Sequence, residues 1–292
     1  MPRPALSARA QGYLFALAAP LCWSVGGVVM RTVEAPPWDI VFWRAAAHLV
    51  FYPFVLVFLL RVPVFRSVRD FGWPAFVSAV MLGASFVLHV IGMTSTTVAN
   101  ALLLQATSPL MVALFARLFL GESVSTASWI AIAVAFAGLS LVMGASIDEG
   151  ALLGKLAAIG VAIVSTVNVI VIRRTRGTLD MRPAMVPAAL LACLIALVPG
   201  DPLATRPVDI AALIGLGLVQ MTIGLTFFYA ALKRVSAVEV TLVALIEPVL
   251  GSLWTWLAVG EIPSDGTLVG GAVLLGALAF NTLAASRTPR PA

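Results

Sequence analysis

The segment LIEPVLGSLWTWLAVGE, residues 245–261, sets Glu247 and Pro248 inside an apolar run that reads as a membrane helix. A carboxylate at the middle of such a helix costs at least about 2.5–3.5 kcal/mol on insertion scales, so Glu247 is expected to face protein or water rather than lipid. There it would meet a solute ammonium or take up a proton; the competing reading is a protonated acid bonded to a neighbouring helix. Pro248 lacks an amide donor, and its ring crowds the carbonyl four residues earlier, that of Ala244. An earlier segment, TSPLMVALFARLFLGE, residues 107–122, carries Pro109 in the same place and would release the carbonyl of Gln105, with Ser108 standing where Glu247 stands. Freed carbonyls in a bilayer need a neighbouring helix, water or a solute. Pro109 and Pro248 are therefore expected as hinges near mid-membrane, against the plainer reading of kinks that improve packing.

Met81, Ser85 and His89 recur at intervals of four, which stacks them on one helix face. A shift of 139 residues turns them into Gln220, Gly224 and Phe228, a second stripe of small, polar and aromatic groups. Trp23 and Ser24 correspond to Ser165 and Thr166, with Asn168 nearby; Asn100, Gln105, Tyr229 and Trp254 add further polar or aromatic groups. The predicted substrate-binding set is Trp23, Ser24, Met81, Ser85, His89, Gln105, Ser108, Thr166, Asn168, Gln220, Gly224, Phe228, Glu247 and Trp254. Aromatic rings suit an aromatic or cationic solute, although such rings also pack or anchor at interfaces. For His89 the alternative is a core imidazole bonded to a backbone carbonyl. His48 is the only other histidine, and no His/Cys/carboxylate cluster has ligand spacing, so neither a metal nor a cofactor is expected. Cys22 and Cys193 read as small packing residues.

The elements that position these groups follow from composition. The chain has 292 residues, 61% hydrophobic and 11% charged, against about 25% charged in a soluble domain. Spans of about 20 residues cross a bilayer as helices, whereas a β-barrel would alternate apolar and polar residues. Breaks at charged and Pro/Gly-rich clusters give ten spans, near 12–31, 38–60, 72–93, 98–119, 125–143, 151–172, 183–199, 208–232, 236–258 and 264–284. The first is expected to be retained rather than cleaved as a signal peptide.

The net charge of +5 has no basic stripe or aromatic platform for nucleic acid. It is better explained by orientation. With ten spans, most Lys and Arg fall on one side, among them Arg3, Arg9, Arg61, Arg66, Arg69, Arg117, Arg173, Arg174, Arg176, Arg182, Lys233, Arg234, Arg287 and Arg290. The other side receives Arg31, Lys155 and Arg206. That imbalance places both termini in the cytoplasm. Arg44, inside span two, is expected to snorkel outward and pair with Asp39.

The two halves superpose. The shift of 139 lays Pro109 on Pro248, Gly121-Glu122 on Gly260-Glu261, and HVIGMTSTTVANA (89–101) on FYAALKRVSAVEV (228–240). A shift of 142 lays the segment starting at Gly12 on the one starting at Gly154. Five spans per repeat is an odd number, so the second copy enters the membrane upside down, a plan typical of transporters. Residues 12–143 and 151–284 form the repeats, with residues 1–11 and 285–292 as short cytoplasmic tails. Glycine suits a helix C-terminus, and Glu122 and Glu261 beside it read as structural. Ala131 with Ala135 and Gly266 with Gly270 read as close-packing patterns on spans 5 and 10, for buttressing or a dimer contact.

KRVSAVEVTLVALIEPVLGSLWTWLAVGE and TTVANALLLQATSPLMVALFARLFLGE carry a resemblance to the drug/metabolite transporter superfamily, in its ten-span EamA-type branch. Within that branch the chain is similar to aromatic amino-acid exporters of bacterial inner membranes (YddG-type). The resemblance covers about residues 12–284. It implies an all-α membrane protein in which spans 1, 3, 4, 6, 8 and 9 surround a central cavity, with spans 5 and 10 outside.

The expected function is a secondary transporter exporting a small amphiphilic metabolite, favouring aromatic or other hydrophobic amino acids, across the bacterial inner membrane by alternating access. Its partners are that small molecule and the lipid bilayer, with no nucleic acid, and the chain acts as a monomer or homodimer. A carrier or selective channel for another metabolite or a drug-like cation is the alternative. Anionic phosphates would ask for intramembrane Lys or Arg, of which there is only Arg44. No Walker motif is present, so a gradient must supply the energy. An intramembrane enzyme would need a nucleophile with a base, paired acids or a metal; with no GxSxG or HExxH, no enzyme is expected.

Overall fold

A computed structural model of the chain describes residues 7–62, 72–121, 125–144, 149–174, 182–235, 240 and 243–287. Arg3, Arg66, Arg69, Glu122, Arg176 and Arg290 lie outside the described residues, as does most of the predicted start of span nine. Among the described residues, seven helices are long and apolar enough to cross a membrane: α1 (Ala8–Thr32), α2 (Pro37–Leu59), α3 (Trp73–Ser95), α4 (Val98–Leu120), α5 (Thr126–Gly144), α6 (Ala151–Arg174) and α8 (Pro207–Leu232). Three shorter apolar helices complete the described set, α7 (Arg182–Leu197), α9 (Ile246–Val259) and α10 (Asp265–Asn281). The order is that of the ten expected spans. A helix bonds every interior backbone group within itself, which is why apolar segments of this length cross a bilayer in this form.

The helices pack in exchange-related pairs. Contacts of α1 with α8 are matched by those of α6 with α3, α2 with α8 by α7 with α3, and α1 with α9 by α6 with α4. The self-related pairs α2 with α7, α4 with α9, and α5 with α10 also pack. Each first-half helix thus meets the counterpart of its own partner, as an approximate two-fold axis requires. Gly121 and Gly260 end corresponding helices with φ of 69° and 70°, a left-handed cap that glycine adopts without steric cost.

Pairing of α5 with α10 rests on small residues. A Cβ on Gly138 would stand 2.8 Å from the Gly270 carbonyl oxygen, and one on Gly270 would stand 2.7 Å from that of Gly138. Ala131, Ala135, Leu274, Ala277 and Leu278 fill the seam, joined by Leu110 of α4. Ala131, Ala135 and Gly270 are therefore used within one chain, as a buttress, and the glycine opposite Gly270 is Gly138. Between α2 and α7, Cys193 is buried beside the Phe42 carbonyl, its Sγ donating over 3.8 Å.

Candidate functional site

The prolines break their helices rather than bend them. In α4 the helix runs Val98–Gln105, turns at Ala106 and Thr107, and restarts as Ser108–Leu120 with Pro109 in its first turn. In α9 a turn at Leu245 precedes Ile246–Val259, with Pro248 likewise in the first turn. Proline is well tolerated there, because a first-turn N–H has no intrahelical acceptor to lose. The Thr107 hydroxyl closes the break by donating to the Leu104 carbonyl at 2.6 Å. Glu247 consequently sits in the first turn of a half-helix, whose positive dipole end favours an acid. α1 is broken too, at Val25, between Ala8–Ser24 and Gly26–Thr32.

The breaks in α4 and α9 face a cavity of about 370 Å³. Its wall includes Trp23 from α1, Arg44 and His48 from α2, Ser85, Phe86 and His89 from α3, and Gln105 from α4. Val161 and Ser165 of α6, Met185 of α7, Gln220, Met221 and Leu225 of α8, and Glu247 of α9 close it. A second space of about 240 Å³ shares Gln105, Val161 and Glu247 and reaches Pro109 and Pro248. α2 and α7 therefore join the six helices expected around the cavity, while α5 and α10 stay out of the wall.

Arg44 departs from its expected role. Its side chain is buried, and Nη2 donates to Gln220 Oε1, while Gln220 Nε2 donates to the Trp23 carbonyl at 2.9 Å beside the break in α1. Asp39 serves the loop before α8 instead, accepting from Asp201 N at 2.9 Å and from the Thr205 hydroxyl at 3.1 Å. Inside the bundle the guanidinium finds the Gln220 amide, whereas the carboxylate is claimed by a part-buried backbone donor and a buried hydroxyl; the predicted Arg44–Asp39 pair does not form.

Both histidines are fixed through Nδ1. His48 Nδ1 lies 3.0 Å from the Thr222 hydroxyl, and its ring stacks on Tyr52 with centroids 4.5 Å apart. His89 Nδ1 lies 2.8 Å from Gln105 Oε1, a side chain on α4 rather than a backbone carbonyl. Arg44 Nε, His48 Nε2, His89 Nε2 and Gln105 Nε2 are buried without a partner among the described residues. Glu247 makes no hydrogen bond or ion pair among the described residues, to Arg44 or to any neighbouring helix. A guanidinium and a carboxyl group thus face the same cavity, each without an oppositely charged partner among the described residues.

Of the fourteen predicted residues, Trp23, Ser85, His89, Gln105, Gln220 and Glu247 meet at the cavity. Others hold the wall from behind. Trp254 Nε1 donates to Ser24 Oγ at 3.1 Å, the Thr166 hydroxyl reaches the Ser108 carbonyl at 3.4 Å, and Asn168 Oδ1 accepts from Ser78 at 2.6 Å. Phe228 supports Trp23 at 5.5 Å between centroids, and Gly224 lies under that indole. Met81 is not in the wall. Of the Gln220, Gly224, Phe228 stripe only Gln220 reaches the wall, since residues Gly217–Gly224 are π-helical. A wider turn rotates later residues off a four-residue face. Arg44 and His48 were legible as a pair four apart on one face; Met185 and Met221 carried no signal beyond apolarity.

Residues 10–144 and 149–283 each match the EamA-like transporter family. The chain is 27% identical over 293 residues to the pseudopaline exporter CntI of Pseudomonas aeruginosa PAO1, covering 96% of this chain and 97% of that protein. The same exporter in strain UCBPP-PA14 matches equally. A crystal structure 21% identical to the chain superposes with a TM-score of 0.66, covering 96% of this chain and 99% of that one, a likeness of fold.

Proposed function

The chain belongs to the EamA-like transporter family, and from that premise we propose that it is a secondary carrier exporting a small amphiphilic metabolite across the bacterial inner membrane. Aromatic or other hydrophobic amino acids are the favoured solutes. Alternating access of the two repeats about the cavity is the mechanism, with both termini in the cytoplasm. One observation carries this reading: α4 and α9, corresponding helices of the two repeats, are both interrupted, and Gln105 and Glu247 beside the breaks line one space. Broken helices paired across a repeat interface supply bending points and a binding site together. The outward direction is supported by the similar protein in Pseudomonas aeruginosa, which is named an exporter.

A carrier for a drug-like cation is the second reading, favoured by Glu247 standing without a cationic partner. Purified protein in liposomes, loaded in turn with phenylalanine, a quaternary ammonium compound or a sugar, separates the two by counterflow of labelled solute with and without a pH gradient. Selective counterflow of the amino acid is expected. Counterflow of the cation alone favours the second reading, and no counterflow by any solute rejects both.

A further inference from the structure

We propose that the cavity recognises a zwitterion, with Arg44 as the carboxylate anchor and Glu247 as the ammonium anchor of one bound molecule. The inference rests on the carrier reading for its biological meaning but on the cavity alone for its chemistry. Arg44 is buried on α2 and bonded only to a neutral amide, leaving Nε free in the wall. Removing a cation from water without a countercharge is expensive, and a carboxylate relieves that expense through charge-assisted hydrogen bonds. Gln105 Nε2, also unpartnered, is a second donor on the same cavity.

The acceptors are equally idle. Gln105 Oε1 can only accept, so His89 Nδ1 is the donor of that pair, and a neutral ring leaves Nε2 as a bare acceptor. With Glu247, it gives the cavity a basic side for an ammonium group. With an ammonium beside it Glu247 is ionised, and its charge and that of Arg44 sum to zero. A dianionic phosphate would add two negative charges against one cation, and a simple cation would leave Arg44 uncompensated. A molecule carrying one of each sign satisfies both. Trp23, Phe86, Met185 and Met221 supply apolar wall for its side chain.

Gln220 is the positioning residue. It holds the guanidinium with one end of its amide and the broken α1 with the other. A Cβ on Gly26 would strike that amide nitrogen, so glycine at 26 admits the bridge.

The test uses three probes with one side chain: phenylalanine, phenethylamine, which lacks the carboxylate, and 3-phenylpropionate, which lacks the ammonium. Binding to the purified full chain is read by isothermal titration, and counterflow is read in liposomes. Phenylalanine is expected to bind at least about tenfold more tightly than either analogue, a difference of about 1.4 kcal/mol. Arg44→Gln should weaken phenylalanine and 3-phenylpropionate about tenfold or more and leave phenethylamine unchanged, with Arg44→Lys intermediate. Equal binding of phenethylamine and phenylalanine by the unmodified protein overturns the proposal, as does binding of none of the three. If Arg44→Gln fails to fold, the discrimination by the unmodified protein still decides. Selective binding without counterflow would sink the carrier reading and spare this one; counterflow of phenethylamine in preference to phenylalanine would do the reverse.

Discussion

Arg31 and Glu261 are joined across one end of the bundle, with Arg31 Nε 2.8 Å from Glu261 Oε2. The pair ties the last turn of α1 to the residue after the cap of α9. It also grips the turn between α3 and α4: Arg31 donates to the carbonyls of Thr94 and Thr96, and Glu261 Oε1 accepts from Val98 N at 2.6 Å. Elements of both repeats therefore close that end together. With side chains 24% and 19% exposed, the pair is partly shielded from the solvent that weakens surface ion pairs.

Glu261→Gln keeps an acceptor for Val98 N and loses the charge; Glu261→Ala loses both. Hydrogen bonds to charged groups contribute about 1.5–3 kcal/mol, so the closed end should loosen in the order Ala, then Gln, then the natural residue. Thiol labelling of a cysteine at Ser95 reports this as faster modification. Identical labelling rates in all three proteins would show that the pair does not hold the end shut.

Glu247→Gln should lower phenylalanine counterflow at least about tenfold, since a neutral amide cannot balance an ammonium. The same substitution should spare 3-phenylpropionate binding. Normal flux at every pH tested removes Glu247 from the site.

Gly224→Leu tests the packing beneath Trp23. A Cβ at 224 would stand 2.6 Å from the indole Nε1 and 2.8 Å from Cδ1, so the ring must move toward the cavity. Overpacking of this kind costs about 1–3 kcal/mol. A lower melting temperature with loss of phenylalanine binding is expected; unchanged uptake in liposomes shows that the indole has room to shift.

Cysteines at Ser95 and Arg234, after Cys22 and Cys193 are replaced by serine, test the inverted plan. They occupy corresponding turns of the two repeats and should label from opposite sides of the membrane. Labelling of both from one side overturns the inversion and the cytoplasmic termini.

Much of the architecture was legible because it is written in local periodicity. Apolar runs near 20 residues long, broken by charge and glycine, mark the ten helices, and the Pro to Gly-Glu spacing marks the two repeats. Small residues at intervals of four on α5 and α10 foretold a close helix contact, since only small side chains let backbones approach. The cost of an acid inside a membrane calls for a sheltered Glu247, and the residue lines the internal cavity. Pro109 and Pro248 were identifiable as points where a helix departs from regularity, although not the form of the break: a proline bends a continuous helix or begins a new one, and adjacent turn residues decide between them.

By itself, the sequence determined which segments are helices, how they repeat, and that Glu247 must be sheltered, because each follows from residue spacing or from the solvation of a single group. Only the tertiary structure decided where Arg44 points. Its stem is long enough to reach the membrane surface or the bundle interior, and the choice rests on Gln220, 176 positions away in the chain on a π-helical turn that no period of four anticipates. A buried charge takes the partner that packing brings to it, and packing is settled by all the helices at once.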